Sequence, residues 1–350
     1  MQKIDPHTWC FLSGRICALE NNLLRRDFFE NLLPLEKPEA ILSCLKDSPL
    51  RGDFLTPEDV VNFEEILERR LFRLLQEAKD LSPTLDVWEL LQTLYDLINL
   101  KNFLKEKLLS LKRPTPFPGP YSDETWESLW QGTMLMPASI LENAGRTQLS
   151  QVSLEFYQMA INDLKRHLGE ILNNPGLLDL ILDGTYIWSL PELAKRTNSA
   201  FILNYYLEYQ KLVGILFLWR VSKNLSALGI TGMQDLQRYI SSPLFTPPIT
   251  FPVKGHEIAR DFEKVLEETL PERIVGAIHE LPPHRYEKAV EDTLMEILKD
   301  AKYFAFGPER VFGYLKALEI EVLNLRLAIG GRLNGIPSEQ INRRLRKVYV

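Results

Sequence analysis

Much of what marks a familiar enzyme is missing from this chain. No Gly-Lys pair occurs in its 350 residues, so there is no GxxxxGK[ST] loop to cradle phosphates, and GxGxxG and GxSxG are absent as well. The chain is therefore not expected to hydrolyse ATP itself. Cysteine is scarce: Cys10, Cys17 and Cys44 are odd in number and sit near the N-terminus, which argues against a disulfide framework and for a reducing compartment. Cys10 and Cys17 could share a helix face near His7, but packed core thiols are the simpler account. Basic residues do not predominate. The 41 Lys and Arg against 47 Asp and Glu give a net charge of −6, which argues against nucleic acid as a partner.

Long apolar runs and strand signals are missing too. The longest apolar stretch, Leu212 to Trp219, lies between Lys211 and Arg220 and is far shorter than the roughly 20 residues that cross a bilayer. It reads as a buried core helix. The opening MQKIDPHTWC is interrupted by charge and proline, which suits no signal peptide, so a cytoplasmic chain is expected. No stretch alternates polar and apolar residues for long, and Asn334-Gly335 lies between helical patterns rather than strands. His279-Glu280-Leu281-Pro282-Pro283-His284 imitates a zinc motif, but its histidines are five apart and its prolines forbid the helix that would align them, so a loop opening a helix is expected, with no metal or other cofactor.

What is present is helix. Hydrophobic residues make up 45% and charged residues 25%, an ordinary globular balance that can bury a large core. Trp9–Arg25, Phe28–Leu33, the segment from Pro38 and Val60–Ala78 have helical spacing, and Thr56-Pro57-Glu58 is a start signal with Thr as cap and Pro first. Asp86–Lys112 follows. The prolines of Arg113–Tyr121 (RPTPFPGPY) then close the first third. Ser122–Ala144, Ser150–Leu172, Leu190–Ala200 and Ala200–Asn224 are the next expected helices. A second break at Ser242–Gly255 precedes Glu257–Thr269, Arg285–Ala301 and the last long helix.

That last helix begins at Gly307-Pro308, since proline at the first helical position gives up only an N–H that would lack a partner. Val311, Leu315, Leu318, Val322, Leu325 and Ile329 form one aliphatic stripe, with Glu309, Lys316, Glu319 and Arg326 on the opposite, charged face. Gly330-Gly331 and Asn334-Gly335 should end it, and Pro337 reopens a short helix whose Ile341, Leu345 and Val348 share a face. Glu321 and Asn324 lie about 40 to 60° off the stripe, where a carboxylate and an amide need partners. The same pattern occurs earlier: DLINLK at 96–101 matches EVLNLR at 321–326. Midway, near position 208, Tyr205–Arg220 forms a similar apolar segment with Glu208 and Gln210 near the acid's place and Val213 in place of Asn. This self-similarity predicts an all-α chain of three repeats of roughly 112 residues, bounded as 1–112, 121–242 and 243–350.

Three runs carry a family resemblance: FLSGRICALENNLL (Phe11–Leu24), YDLINLKNFLKEK (Tyr95–Lys107) and FGPE…YLKALEIEVLNLRLAIGGRLNGIPSEQI from Phe306 onward. With these the chain resembles the C subunit of the prokaryotic V-type/A-type rotary ATPases, whose eukaryotic counterpart is the d subunit. The resemblance implies three helical repeats arranged as a funnel around a pseudo-threefold axis. It also implies a central-stalk rotor part with no active site, which seats the central-shaft subunits and rests on the membrane proteolipid ring. Ion transport linked to ATP synthesis or hydrolysis would pass torque through it. The chain would be cytoplasmic and peripheral to the membrane, with no small-molecule substrate. A generic helical scaffold and a metal-dependent helical enzyme are the alternatives.

The acid-asparagine pairs Asp96, Asn99, Glu321 and Asn324 admit two uses. Paired carboxylates can perform acid–base work, but recurrence at repeat spacing favours a structural hydrogen-bond link between packed helices within each repeat. Arg332, Arg343, Arg344, Arg346 and Lys347 make the last nineteen residues basic, opposed only by Glu339, and suit a solvated face or a partner contact.

Overall fold

The computed structural model describes residues 6–132, 151–224, 227–230, 236, 238–240 and 283–350. Their regular structure is helical throughout, with no strand among the described residues. In chain order the α-helices are α1 (Cys10–Glu20), α2 (Arg26–Leu32), α3 (Pro38–Lys46), α4 (Pro57–Val61), α5 (Phe63–Leu81), α6 (Asp86–Leu109) and α7 (Asp123–Gln131). Then come α8 (Gln151–Arg166), α9 (Leu168–Asn173), α10 (Gly176–Ala194), α11 (Ala200–Lys223), α12 (Pro283–Leu298), α13 (Pro308–Leu333) and α14 (Ser338–Arg344). The break at Ser242–Gly255, the helix expected at Glu257–Thr269, the distal part of the Ser122–Ala144 helix and His279 lie outside the described residues. No helix among the described residues is long and apolar enough to cross a membrane.

The chain divides into two compact units. The first comprises Met1–Trp88, Ser199–Tyr205 and Glu272–Val350, so the two ends of the sequence share one core. At its centre is α13, packed against α1, α2, α5, α12, α14 and the 3-10 turn Lys299–Tyr303. Val311, Phe312, Tyr314, Leu315, Ala317, Leu318, Val322, Leu325, Ala328 and Ile329 are all buried, which covers more of the helix than one stripe. The expected charged face is correspondingly half-buried, with Lys316 bound to Glu319 at 2.5 Å and Arg326 to Glu64 at 2.7 Å. Gly330-Gly331 does not stop α13. Phe63 and Ile341 lie close over these glycines, so they serve the packing, and the helix ends at Leu333 before Gly335, whose φ is +70°. The start is as expected, with Gly307 at φ +131°, a conformation that needs glycine, and Pro308 first.

Local signals explain most helix ends. Thr56 caps α4 in a reciprocal box, accepting from the Asp59 amide at 3.4 Å while Asp59 accepts from the Thr56 amide at 2.8 Å. The single helix expected over 60–78 is interrupted at Asn62, whose ψ of +26° breaks the run between α4 and α5. Ser110, at φ +55°, ends α6 ahead of the prolines. The cysteines are not a core cluster: Cys17 is exposed, and Cys10 and Cys44 are half-buried.

The second unit comprises Glu89–Asn198 and Tyr206–Pro271. Its α10 packs on α8 and α9, and α8 packs on α7. Most of α10 is buried, with Trp188 completely so, and the buried Trp126 of α7 and Tyr157 of α8 form an edge-on pair 5.3 Å apart. Only the end of α10, from Leu190, is anticipated in the sequence. A helix apolar on every side has no 3.6-residue rhythm to reveal it.

Candidate functional site

On α6, Gln92, Asp96 and Asn99 follow at helical spacing and face the proline-rich segment that comes after the helix. Asn99 grips that segment with both ends of its amide: Nδ2 donates to the Phe117 carbonyl and Oδ1 accepts from the Phe117 amide, each at 2.9 Å. Phe117 lies between Pro116 and Pro118, neither of which has an N–H, so Asn99 takes the one donor available there. Gln92 donates to Asp96 Oδ1 at 3.0 Å and to the Pro118 carbonyl at 2.9 Å. Tyr157 OH lies 3.4 Å from Asp96 Oδ2. Gly119 covers the carboxyl so closely that a Cβ there would stand 2.6 Å from Asp96 Oδ1.

The second acid-asparagine pair does the same work in the other unit. Asn324 Nδ2 donates to the Arg346 carbonyl at 3.1 Å, and Oδ1 accepts from the Arg346 amide at 2.8 Å. Residues 345–350 run beyond α14 without regular secondary structure, leaving the helix at Leu345 with φ −59° and ψ 133°. Their end is fixed by Lys302, which donates to the Tyr349 carbonyl at 2.6 Å. Glu321 Oε2 accepts from the Leu24 amide at 2.6 Å, while Oε1 has no partner among the described residues. A cavity of about 10 Å³ lies beside it, lined by Leu23, Leu24, Ala317, Ile320, Glu321, Asn324, Val348 and Tyr349.

Burial pushes both carboxyls up to about 7, against hydrogen bonds from Gln92 and Tyr157 at Asp96 and from the Leu24 amide at Glu321. The partners differ from the helix-to-helix link expected. Each asparagine binds the backbone of a non-helical segment, and Glu321 reaches the turn after α1. In the middle segment Gln210 donates to the Trp188 carbonyl at 3.1 Å, and Val213 cannot form an amide clamp.

The model of the family described as ATP synthase (C/AC39) subunit matches residues 12–216 and 233–344. The chain belongs to that family. The C subunit of the V-type sodium ATPase of Enterococcus hirae is 23% identical over 345 residues, which cover 97% of this chain and 98% of that one.

The basic residues of this C/AC39 family member divide into two kinds. Arg332 is interior: it donates to the Leu35 carbonyl at 3.1 Å, the Ile336 carbonyl at 2.6 Å and Glu36 at 2.7 Å. Arg346 is interior as well, bound to Glu291 and the Arg344 carbonyl. Both therefore leave the basic surface expected from the sequence, because buried backbone carbonyls and carboxylates claim their donors. Arg343, Arg344 and Lys347 belong to the outer part of the tail, with Arg343 on Glu339 and Lys347 on Glu296. Sequence reasoning also missed several exposed aromatic residues of the first unit. Phe11 is 72% and Tyr303 86% exposed, and Phe306, 6.0 Å from the His7 ring, is 46% exposed.

Proposed function

We propose that this chain is the non-catalytic rotor subunit of a V-type/A-type ATPase, coupling the central shaft to the membrane proteolipid ring so that ion transport and ATP synthesis or hydrolysis turn together. The observation that carries this is the end-to-end match to the C/AC39 family and to the C subunit of a V-type ATPase. The interior chemistry agrees with it: the buried acids, amides and arginines hold backbone in place, as a part that bears load requires. The matching clamps at Asn99 and Asn324 support repeats bounded near 1–112, 121–242 and 243–350. The chain works on the cytoplasmic side, held to the membrane through the complex.

The test is purification of the tagged chain from detergent-solubilised membranes of its own host. It should bring down nucleotide-binding subunits and the proteolipid ring, and its deletion should abolish ATP-driven ion pumping, while the isolated chain should show no ATPase activity. Recovery of the chain alone, or a complex that assembles and pumps without it, overturns the assignment.

A further inference from the structure

The buried charged residues described are Glu20, Asp96, Asp163, Glu321, Arg332 and Arg346. Glu20 pairs with Arg310, Asp163 with Arg166, Arg332 with Glu36 and Arg346 with Glu291. Among the described residues, Asp96 and Glu321 have no ion pair. They occupy the same position of the two hexads, one turn before an asparagine that grips a non-helical segment. Asp96 lies under Gly119 of its segment, and Glu321 shares its cavity with Val348 and Tyr349 of the other. An isolated carboxylate in such a place is far more costly than a neutral carboxyl.

We propose that Asp96 and Glu321 are proton-operated latches: each carboxyl is neutral while its non-helical segment is seated, and loss of the proton loosens residues 113–121 in one unit and 345–350 in the other. Among the described residues, the groups that face them bring no free cation. Around Asp96 stand Gln92 on its own helix, Tyr157 from α8 and Tyr121 from the segment, with Glu89 acting on Tyr121. Around Glu321 stand Tyr314 on α13, Arg70 from α5 and Tyr349 from the tail, with Glu20 from α1 and Glu77 from α5 acting on Tyr314. Arg70 is held by Asp53 at 2.7 Å, Glu20 by Arg310 at 2.5 Å, and Arg346 of the tail by Glu291. Burial supplies the proton affinity, raising both groups to about 7 from ordinary values of 3.8 and 4.5. A seated carboxyl thus binds its proton more tightly than a released one. Seating is strongest in acid, weakens by up to about tenfold per pH unit as pH rises from about 5 to about 7, and levels off above.

The test is hydrogen exchange at the Phe117 and Arg346 amides of the full chain, expressed as protection relative to the unstructured peptide at each pH. Each of these N–H groups donates to its clamp asparagine, so its protection reports seating. Protection should fall by roughly 40- to 50-fold from pH 5 to 7 and only about twofold more above that. Glu321→Gln should flatten the response at Arg346 and leave that at Phe117, and Asp96→Asn should do the reverse. Constant protection across this range in the unaltered chain, or a fall that persists in the matching neutral variant, overturns the proposal. Carbon-13 carboxyl titration of the unaltered chain covers a variant that does not fold. Two carboxyls with midpoints near 7 support the latches, and every carboxyl titrating in the ordinary acidic range refutes them.

Discussion

Asn324 holds the tail by a two-way bond, and either half fails alone. Asn324→Ala leaves the Arg346 amide and carbonyl without partners in the interior, which should cost about 1 to 3 kcal/mol in urea denaturation. Glu321→Ala strips the Leu24 amide of its acceptor and enlarges the adjoining cavity, and should cost a similar amount. Glu319→Ala, at a half-buried site, should cost under about 1 kcal/mol. A Glu321→Ala melting temperature equal to that of the unaltered chain would count against a structural role for this carboxyl. Charge separates the arginines in the same way. Arg346→Glu sets a second carboxylate beside Glu291 in a buried place and should cost about 3 to 5 kcal/mol. Arg343→Glu with Arg344→Glu, both exposed, should leave the melting temperature unchanged and act only on recovery of the complex. The hexads were visible in the sequence because a carboxylate and an amide beside an aliphatic stripe need partners. What they bind was not, because helical spacing says nothing about a non-helical segment eighteen or twenty-two residues further on.

Helices show how much patterning can carry. The cap at Thr56 and the start at Gly307-Pro308 are local chemistry, and both were legible. The beginning of α10 was not, since that helix has no polar face, and at the far end of α13 only Asn334-Gly335 acts as the expected stop, the helix running through Gly330-Gly331. Those glycines answer to neighbours instead, as does Gly313, where a Cβ would lie 2.4 Å from the Ala301 Cβ and 3.0 Å from the Tyr349 hydroxyl. Gly313→Ala should therefore destabilise by about 1 to 3 kcal/mol. Gly14 in α1 is exposed with nothing within 4 Å, and Gly14→Ala should stabilise by about 0.4 to 1 kcal/mol. Thermal melting of the two variants checks both signs, and a loss from Gly14→Ala as large as that from Gly313→Ala would refute the packing argument.

For the molecule as a whole, pH acts through groups whose proton affinity changes on folding. Asp96 and Glu321 hold protons to about 7 when folded, against 3.8 and 4.5 ordinarily, so the folded chain binds more protons between those limits. Stability should be full below the ordinary values and fall as pH rises towards 7, by about 1.4 kcal/mol per pH unit for each group. Glu68, raised by burial, adds in the same direction. Asp59, Glu127 and Glu296 are lowered by their hydrogen bonds, so their effect lies below the ordinary carboxylate range. Urea midpoints at pH 5 and 7.5 should therefore differ, and Asp96→Asn with Glu321→Gln should bring them together. An unchanged difference in that double variant would assign the pH dependence elsewhere.

The shared core of the two chain ends also sets an order in time. Leu24, Leu33, Leu35 and Glu36 are bonded by Glu321, Ser338 and Arg332, so the helices of residues 10–81 have no central helix until the final stretch of α13 has been synthesised. At about 5 to 20 residues per second, the wait between Trp88 and Pro308 is on the order of ten seconds or more. A ribosome-held chain ending before Pro308 should leave residues 10–81 open to protease, and one extended past Val350 should protect them. During that interval the newborn amino-terminal helices present their apolar faces to whatever in the cell can hold them.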